Sequence, residues 1–188
     1  MISAILLAAG QSKRMVGENK LTKKIQGVSL IKYSVKNILA SSINEFIIVL
    51  GHQKEIIEKL IDKNNKIKCV FNKNFENGMA SSIKTGLDHL SEKTEAFFIC
   101  LGDMPMINSD IYNELIQSKN NKEIIVPTYK GQQGHPVLFS KSTKEKIMTI
   151  QGDVGAKKIL ELNKDKILNL EIDNQGIRKD FNTKDDFI

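Results

Sequence analysis

Short, nearly continuous apolar runs rich in β-branched residues recur along the chain, at Ser3–Leu7, Glu45–Leu50, Ile67–Phe71, Ala96–Leu101 and Glu123–Pro127. Apolar runs without alternation fit strands buried on both faces. The stretches between them have helical spacing instead. Leu30–Ala40 sets Ile31, Val35, Ile38 and Leu39 on one face, and Gln53–Ile61 does the same with Ile56, Ile57, Leu60 and Ile61. Gly78–Leu90 offers Met79, Ile83, Leu87 and Leu90, while Asn108–Ser118 opens on Asn-Ser-Asp and carries Ile111, Leu115 and Ile116. Strand and helix in alternation predict an α/β fold of three layers, an open, mostly parallel sheet with helices on both faces.

The pattern changes after Pro127. Thr128–Gln133 and Pro136–Ser140 flank a turn bounded by Gly131 and Gly134, which predicts a C-terminal antiparallel hairpin laid across the end of the sheet. Short helices around Ser142–Thr149 and Gly155–Leu162 follow, then an extended stretch Ile167–Ile172 and the tail Asp180–Ile188. Neither a repeat nor an interdomain linker interrupts the pattern, so residues 1–188 are expected to form a single domain.

Composition narrows the function classes. The 188 residues are 40% hydrophobic and 27% charged, an ordinary globular balance. No apolar run approaches the roughly eighteen residues of a membrane span. Met1–Ala9 has no basic region ahead of its apolar stretch, so it makes a poor signal peptide and a cytoplasmic protein is expected. The net charge of +6 invites a nucleic-acid reading, but Arg14 and Arg178 are the only arginines. The lysines are scattered, and clustered arginine with interleaved aromatics is missing. The charge therefore implies only an attraction for anionic small molecules. Cys69 and Cys100 each sit inside an apolar run and read as buried, reduced thiols.

In an open α/β sheet ligands bind beyond the carboxyl ends of the strands, which directs attention to the loop Leu7-Ala8-Ala9-Gly10-Gln11-Ser12-Lys13-Arg14 and on to Asn19-Lys20-Leu21. Small residues let a ligand approach the backbone, whose N–H groups suit phosphate oxygens. Arg14 adds a forked cation and Lys20 a point charge. The dinucleotide fingerprint fails here, because Ser12 and Met15 hold its second and third glycine places, and no Gly-Lys-Ser/Thr opens a helix. A glycine that merely ends a strand, beside solvated cations, is the plainer alternative. Leu101-Gly102-Asp103-Met104-Pro105 ends an apolar run, which puts Asp103 at a strand's carboxyl edge, where one carboxylate beside a polyphosphate suits a hard cation such as Mg²⁺. A simple Gly-Asp turn would use the same residues. Ser81 and Ser82 either cap a helix or donate to a ligand at its N-terminus. Asn182-Thr183 reads as a helix cap with Asp185 and Asp186 in the first turn, and Asp153 as the cap of the helix after it. His52, His89 and a lone His135 beside Pro136 read as structural.

Taken in order, LAAG-x-S-x-R-M…NK-L from Leu7, Asn72…Gly78…Ser82, Gly-Asp-Met-Pro around Asp103, Gly134-His135-Pro136-Val137 and the closing Asp180-Phe181-Asn182-Thr183…Asp186 resemble the molybdenum cofactor nucleotidyltransferases. The likeness is strongest to the cytidylyltransferases and the accessory proteins of molybdenum hydroxylases. Gly152-Asp153-Val154-Gly155-Ala156-Lys157 is similar to a stretch of those accessory proteins. The resemblance implies a Rossmann-like fold of the nucleotide-diphospho-sugar transferase kind. It implies CMP transfer from CTP to the phosphate of a molybdopterin-type cofactor, with release of pyrophosphate.

Carried over residue by residue, it gives nucleotide-binding roles to Leu7, Ala8, Ala9, Gly10, Ser12, Arg14, Lys20, Asn72, Gly78, Ser82 and Asp103. Arg14, Lys20 and Asp103 would be catalytic, His135, Pro136 and Asp153 would face the acceptor, and Asp103 with Asn182 would hold Mg²⁺. Asp180 is a second metal candidate by proximity. A molybdenum hydroxylase apo-enzyme is an implied partner, whereas nucleic acid and membrane are not. Two departures stand out: Val16 takes a place that is usually Gly, and Asn182 one that in cytidylyltransferases is often Asp. Guanylyl transfer, or transfer to another phosphorylated small molecule, is the alternative within the class. A non-catalytic cofactor carrier is the alternative outside it.

Overall fold

The computed structural model describes residues 1–12, 19–119, 121–155, 157–182 and 186. The strands are β1 (Ile2–Ala8), β2 (Lys24–Ile25), β3 (Val28–Ser29), β4 (Glu45–Leu50), β5 (Ile67–Phe71), β6 (Ala96–Leu101), β7 (Ile124–Tyr129), β8 (Gln132–Gln133), β9 (Val137–Ser140) and β10 (Ile167–Glu171). The helices are α1 (Leu30–Leu39), α2 (Lys54–Glu58), α3 (Met79–Asp88), α4 (Ser109–Gln117), α5 (Lys144–Met148) and α6 (Lys157–Leu162). Among the described residues these strands make one eight-stranded sheet, ordered β10-β7-β9-β6-β1-β4-β5 with β8 paired to β7, and a separate β2-β3 ribbon.

The expected apolar runs are the strands of the sheet, and their burial on both faces explains why they do not alternate. In β1, Ala4, Leu6 and Ala8 pack towards α1, α2 and α4, while Ile5 packs towards α3, α5 and α6. Phe46 and Ile48 of β4 face the first layer, and Ile47 and Val49 the second. β1 pairs in parallel with β4 on one side and β6 on the other, so the chain reverses its direction of travel across the sheet at β1. Crevices for ligands open at such a reversal.

The hairpin differs from the expectation. Its returning strand β9 does not lie across the end of the sheet but inserts between β6 and β7, antiparallel to both. The reason is in the residues. Val137, Leu138 and Phe139 are 3%, 2% and 0% exposed, apolar on both faces, and could be buried only inside the sheet. Phe139 stands opposite Phe97 with the rings 5.8 Å apart. The short β2-β3 ribbon has no counterpart among the expected elements, and the helix expected over Gln53–Ile61 is confined to α2. Cys69 is half-buried and Cys100 fully buried, both free, and burial pushes the Cys100 thiol up to about 12. Among the described residues no helix is long and apolar enough to cross a membrane.

Packing between α3 and β1 depends on Gly86, where a Cβ would come within 2.4 Å of the Ile5 Cγ2 methyl and 3.2 Å of Val49 Cγ2. Helix propensity alone would make alanine stabilising there, by about 1 kcal/mol. Overpacking against β-branched neighbours costs about 1–3 kcal/mol and should outweigh it. Gly86→Ala is therefore expected to lower the urea unfolding midpoint. A raised midpoint would mean that helix and sheet are separated by more than this contact allows.

Candidate functional site

A cavity of about 750 Å³ opens at the carboxyl ends of β1 and β6, within the range of about 300–1,000 Å³ common for small-molecule sites. Its floor begins where β1 ends. Ala9 is buried against Gly51, where any side chain would meet the Cβ atoms of Ala9 and Phe75 at 2.7 Å. Gly10 is exposed with open space around it, and Leu7, Ala9, Gly10 and Ser12 all line the cavity. Ser12 closes the loop by accepting the Lys20 backbone N–H at 3.1 Å. Asn19 Oδ1 then caps the short 3-10 turn Lys20–Thr22 by accepting from Leu21 N at 3.1 Å. Leu21 is buried with its methyl groups against Gly102, so Lys20 springs from an anchored turn.

Asp103 follows β6. Gly102 N donates to Leu7 O at 3.3 Å, and Ser34 Oγ to Gly102 O at 3.1 Å, which ties this turn to β1 and α1. The C-terminal segment arrives opposite. Phe181 is buried, and its N–H donates to the Asp103 carbonyl at 2.9 Å. Asp180 and Asn182, on either side of that buried ring, both line the cavity.

Three stretches of chain thus meet at one cation: Lys20 Nζ pairs with Asp103 Oδ2 and donates to Asn182 Oδ1 at 2.8 Å. Asn182 Nδ2 in turn donates to Asp180 Oδ2, and its backbone N–H to Asp186 Oδ2 at 2.9 Å. Two oxygen donors already holding an ammonium are a donor set suited to a hard cation. Among the described residues no three His, Cys, Asp or Glu side chains cluster as a metal site, here or elsewhere, so a cation at this position would depend on one carboxylate, an amide oxygen and the ligand's own oxygens.

The facing wall is the 3-10 turn Phe75–Asn77, Gly78 and the N-terminus of α3. Gly78 has φ +92°, and a Cβ on it would lie 2.6 Å from the backbone of Gly152 and Asp153. It leaves α3 without a cap of its own. Asp153 Oδ1 accepts from Met79 N at 3.2 Å and Gly152 O from Ala80 N at 3.1 Å, so Asp153 caps α3. Asp153 and Ser82 line the cavity. Asn72 does not: it is 3% exposed, its Nδ2 donates to Ser81 Oγ at 2.8 Å and Ser82 Oγ at 3.0 Å, and its Oδ1 accepts from Asn74 N at 2.9 Å. Asn72 shapes the wall from behind.

Ala8 is buried in the strand, and neither His135 nor Pro136 lines the cavity. His135 N donates to Ile177 O at 2.8 Å. Burial pushes its imidazole below the ordinary value, against the pull of the Asp103 and Asp180 charges, so the neutral ring is favoured. Its buried Nδ1 has no hydrogen-bond partner among the described residues. His52 lies beside Phe75 with ring centroids 6.1 Å apart, and His89 Nδ1 meets Thr85 O at 2.8 Å. Arg14 and Val16 lie outside the described residues. Gly51 helps to shape the site although the sequence reading gives it no place there, whereas Asn19 and Leu21, which flank Lys20 in the NK-L stretch without an assigned role, hold the turn that bears the lysine.

Known proteins share this architecture. The chain is 30% identical over 188 residues to the molybdenum cofactor cytidylyltransferase of Escherichia coli K12, covering 100% of this chain and 94% of that one. It is 26% identical over 155 residues to a probable molybdenum cofactor guanylyltransferase of Methanosarcina acetivorans, covering 79% and 67%. The crystal structure of Rv0371c from Mycobacterium tuberculosis in complex with manganese superposes with a TM-score of 0.83 over 99% of this chain and 95% of that one, at 20% identity, which shows a shared fold. Residues 4–168 match the MobA-like NTP transferase domain, and the chain belongs to this family of nucleotidyltransferases.

Proposed function

We propose that residues 1–188 act as one nucleotidyltransferase domain that moves CMP from CTP to the terminal phosphate of a molybdopterin-type cofactor and releases pyrophosphate. The observation that carries the reading is the meeting of Lys20, Asp103 and Asn182 at one edge of the cavity. Support for the cytidine branch comes from the full-length likeness to the cytidylyltransferase and from the two alanines ahead of Gly10.

In this reading the triphosphate lies along the loop after β1, with the exposed Gly10 leaving room for its oxygens. The base lies towards Gly78 and Ser82 at the start of α3. Asp103 and Asn182 hold Mg²⁺, which fits their hard oxygens and their present cationic partner; the manganese complex of the mycobacterial neighbour is in keeping with a divalent ion. When bound, that ion supplies charge neutralisation on the phosphate oxygens. An oxygen of the acceptor phosphate forms the new bond to the α-phosphorus, and the bond from that phosphorus to the bridging oxygen of pyrophosphate breaks, the electron pair leaving with pyrophosphate. Lys20, released from its carboxylate, and Arg14 stabilise that charge.

No general base is required, since a phosphate monoester is already anionic near neutral pH. His135 lies outside the cavity lining and is assigned to the acceptor side on the Gly-His-Pro-Val motif alone. Asp153, with Pro136, is assigned to the same side. A soluble cytoplasmic enzyme that passes its product to a molybdenum hydroxylase apo-enzyme completes the reading.

Pyrophosphate release from a panel of CTP, GTP, UTP and ATP, with molybdopterin-type acceptor and Mg²⁺, tests the substrate. CTP is expected to give the highest kcat/KM; a preference for GTP would move the chain to guanylyl transfer and refute the cytidylyl assignment. Asp103→Ala is expected to cut kcat by about 10²-fold or more, the scale for losing one preorganised electrostatic group. The variant is expected to remain folded by circular dichroism, because the apolar burial of Met104 and Phe181, not the ion pair, anchors this turn. Full activity of this variant at saturating Mg²⁺ would refute the metal assignment.

A further inference from the structure

A carboxylate offers a cation the same atom at either end, but an amide does not. A side-chain amide serves as a cation ligand only when its oxygen is turned inward. Asn182 is held at both ends by partners of opposite kind. Lys20 Nζ, which can only donate, meets Oδ1 at 2.8 Å, and Nδ2 donates to a carboxylate oxygen of Asp180, which can only accept. Reversing the amide would set donor against donor at one end and acceptor against acceptor at the other.

The backbone prepares this arrangement. Phe181 is buried with its N–H on the Asp103 carbonyl, and Asp180 and Asn182 flank it on the cavity side. Lys20 is the partner that a triphosphate would draw away, since an ammonium cannot share two oxygens with a divalent ion. Asp180 then remains to fix the sense of the amide. It also places a negative charge directly behind an amide that carries none.

We propose that Asp180 is a positioning residue that holds Asn182 with Oδ1 towards the cation and supplies, through that amide, the second negative charge of the site. This rests on the reading that Asp103 and Asn182 take a divalent ion.

The test is Mn²⁺ binding by the full chain in the presence of CTP and, separately, GTP, followed as loss of the free-ion electron paramagnetic resonance signal. Wild type, Asp180→Ala, Asn182→Asp and the double variant are compared, with circular dichroism melts to verify folding. Asp180→Ala is expected to bind Mn²⁺ about tenfold more weakly, the lower end for loss of a group that orients a ligand. Adding Asn182→Asp should restore binding, because a carboxylate needs no orienting partner. In turnover the single variant should show a raised KM for metal–nucleotide with kcat at saturating metal retained. Unchanged Mn²⁺ affinity in Asp180→Ala overturns the proposal while leaving the metal reading intact. A loss that Asn182→Asp does not restore also overturns it, since Asp180 would then not act through Asn182. If wild type takes up no Mn²⁺ with either nucleotide, the metal reading itself fails and this inference falls with it.

Discussion

The Lys20 ammonium, shared between the Asp103 carboxylate and the Asn182 amide oxygen, is the interaction on which the chemical reading turns. It is held by the fold rather than holding it. The pair is only partly solvated, with side chains 21% and 14% exposed, so its Coulombic gain is set against the cost of desolvating both charges. What fixes the three groups is apolar burial beside each of them. Leu21 follows Lys20, Phe181 precedes Asn182, and Met104 follows Asp103, all nearly inaccessible. Each such side chain gains about 1.5–3 kcal/mol from burial. The charged groups can therefore exchange partners during a reaction without loosening the segments that carry them.

The facing wall obeys the same logic with backbone in place of side chains. At Gly51 and Gly78 two segments approach more closely than any Cβ would permit. The first N–H groups of α3, which no residue of its own first turn satisfies, are taken by Asp153 and Gly152. The pocket is consequently built from both ends of the chain, and a change near residue 153 alters the start of a helix some seventy residues earlier.

Much of this was legible in the sequence, and the boundary is physical. Uninterrupted apolar runs marked the strands because burial on both faces leaves its trace residue by residue. Lys20 and Asp103 stood out because their loops follow such strands, and a strand's carboxyl end is where an open sheet presents ligand-binding groups. For the hairpin, turn residues report only that the chain reverses; where the return strand pairs depends on which neighbours can cover Val137, Leu138 and Phe139. Asn72 in a polar loop resembles a ligand contact, yet its bonds run inward to Ser81, Ser82 and Asn74. A cap is sought nearby in sequence, whereas Asp153 accepts from Met79 N at the start of a helix far earlier in the chain. Partners distant in sequence leave no local mark.

β10 lies at the far edge of the sheet, and the chain leaving it must cross β7 and β9 to bring Asn182 to the end of β6. The Gly134-His135 turn supplies the guide. His135 N binds Ile177 O, and Gly134 lies so close that a Cβ would come within 2.5 Å of that same carbonyl. Further along, Gly176 passes beneath Met106, and Phe181 docks on Asp103. The Gly-His-Pro segment thus acts on the site before any ligand arrives, by steering the tail. Removing its tight turn would displace Asp180 and Asn182 together. Because the tail carries one of the two oxygens that hold Lys20, the placement of the cation is set as much by this turn, nearly fifty residues before Asn182, as by the loop that bears the lysine.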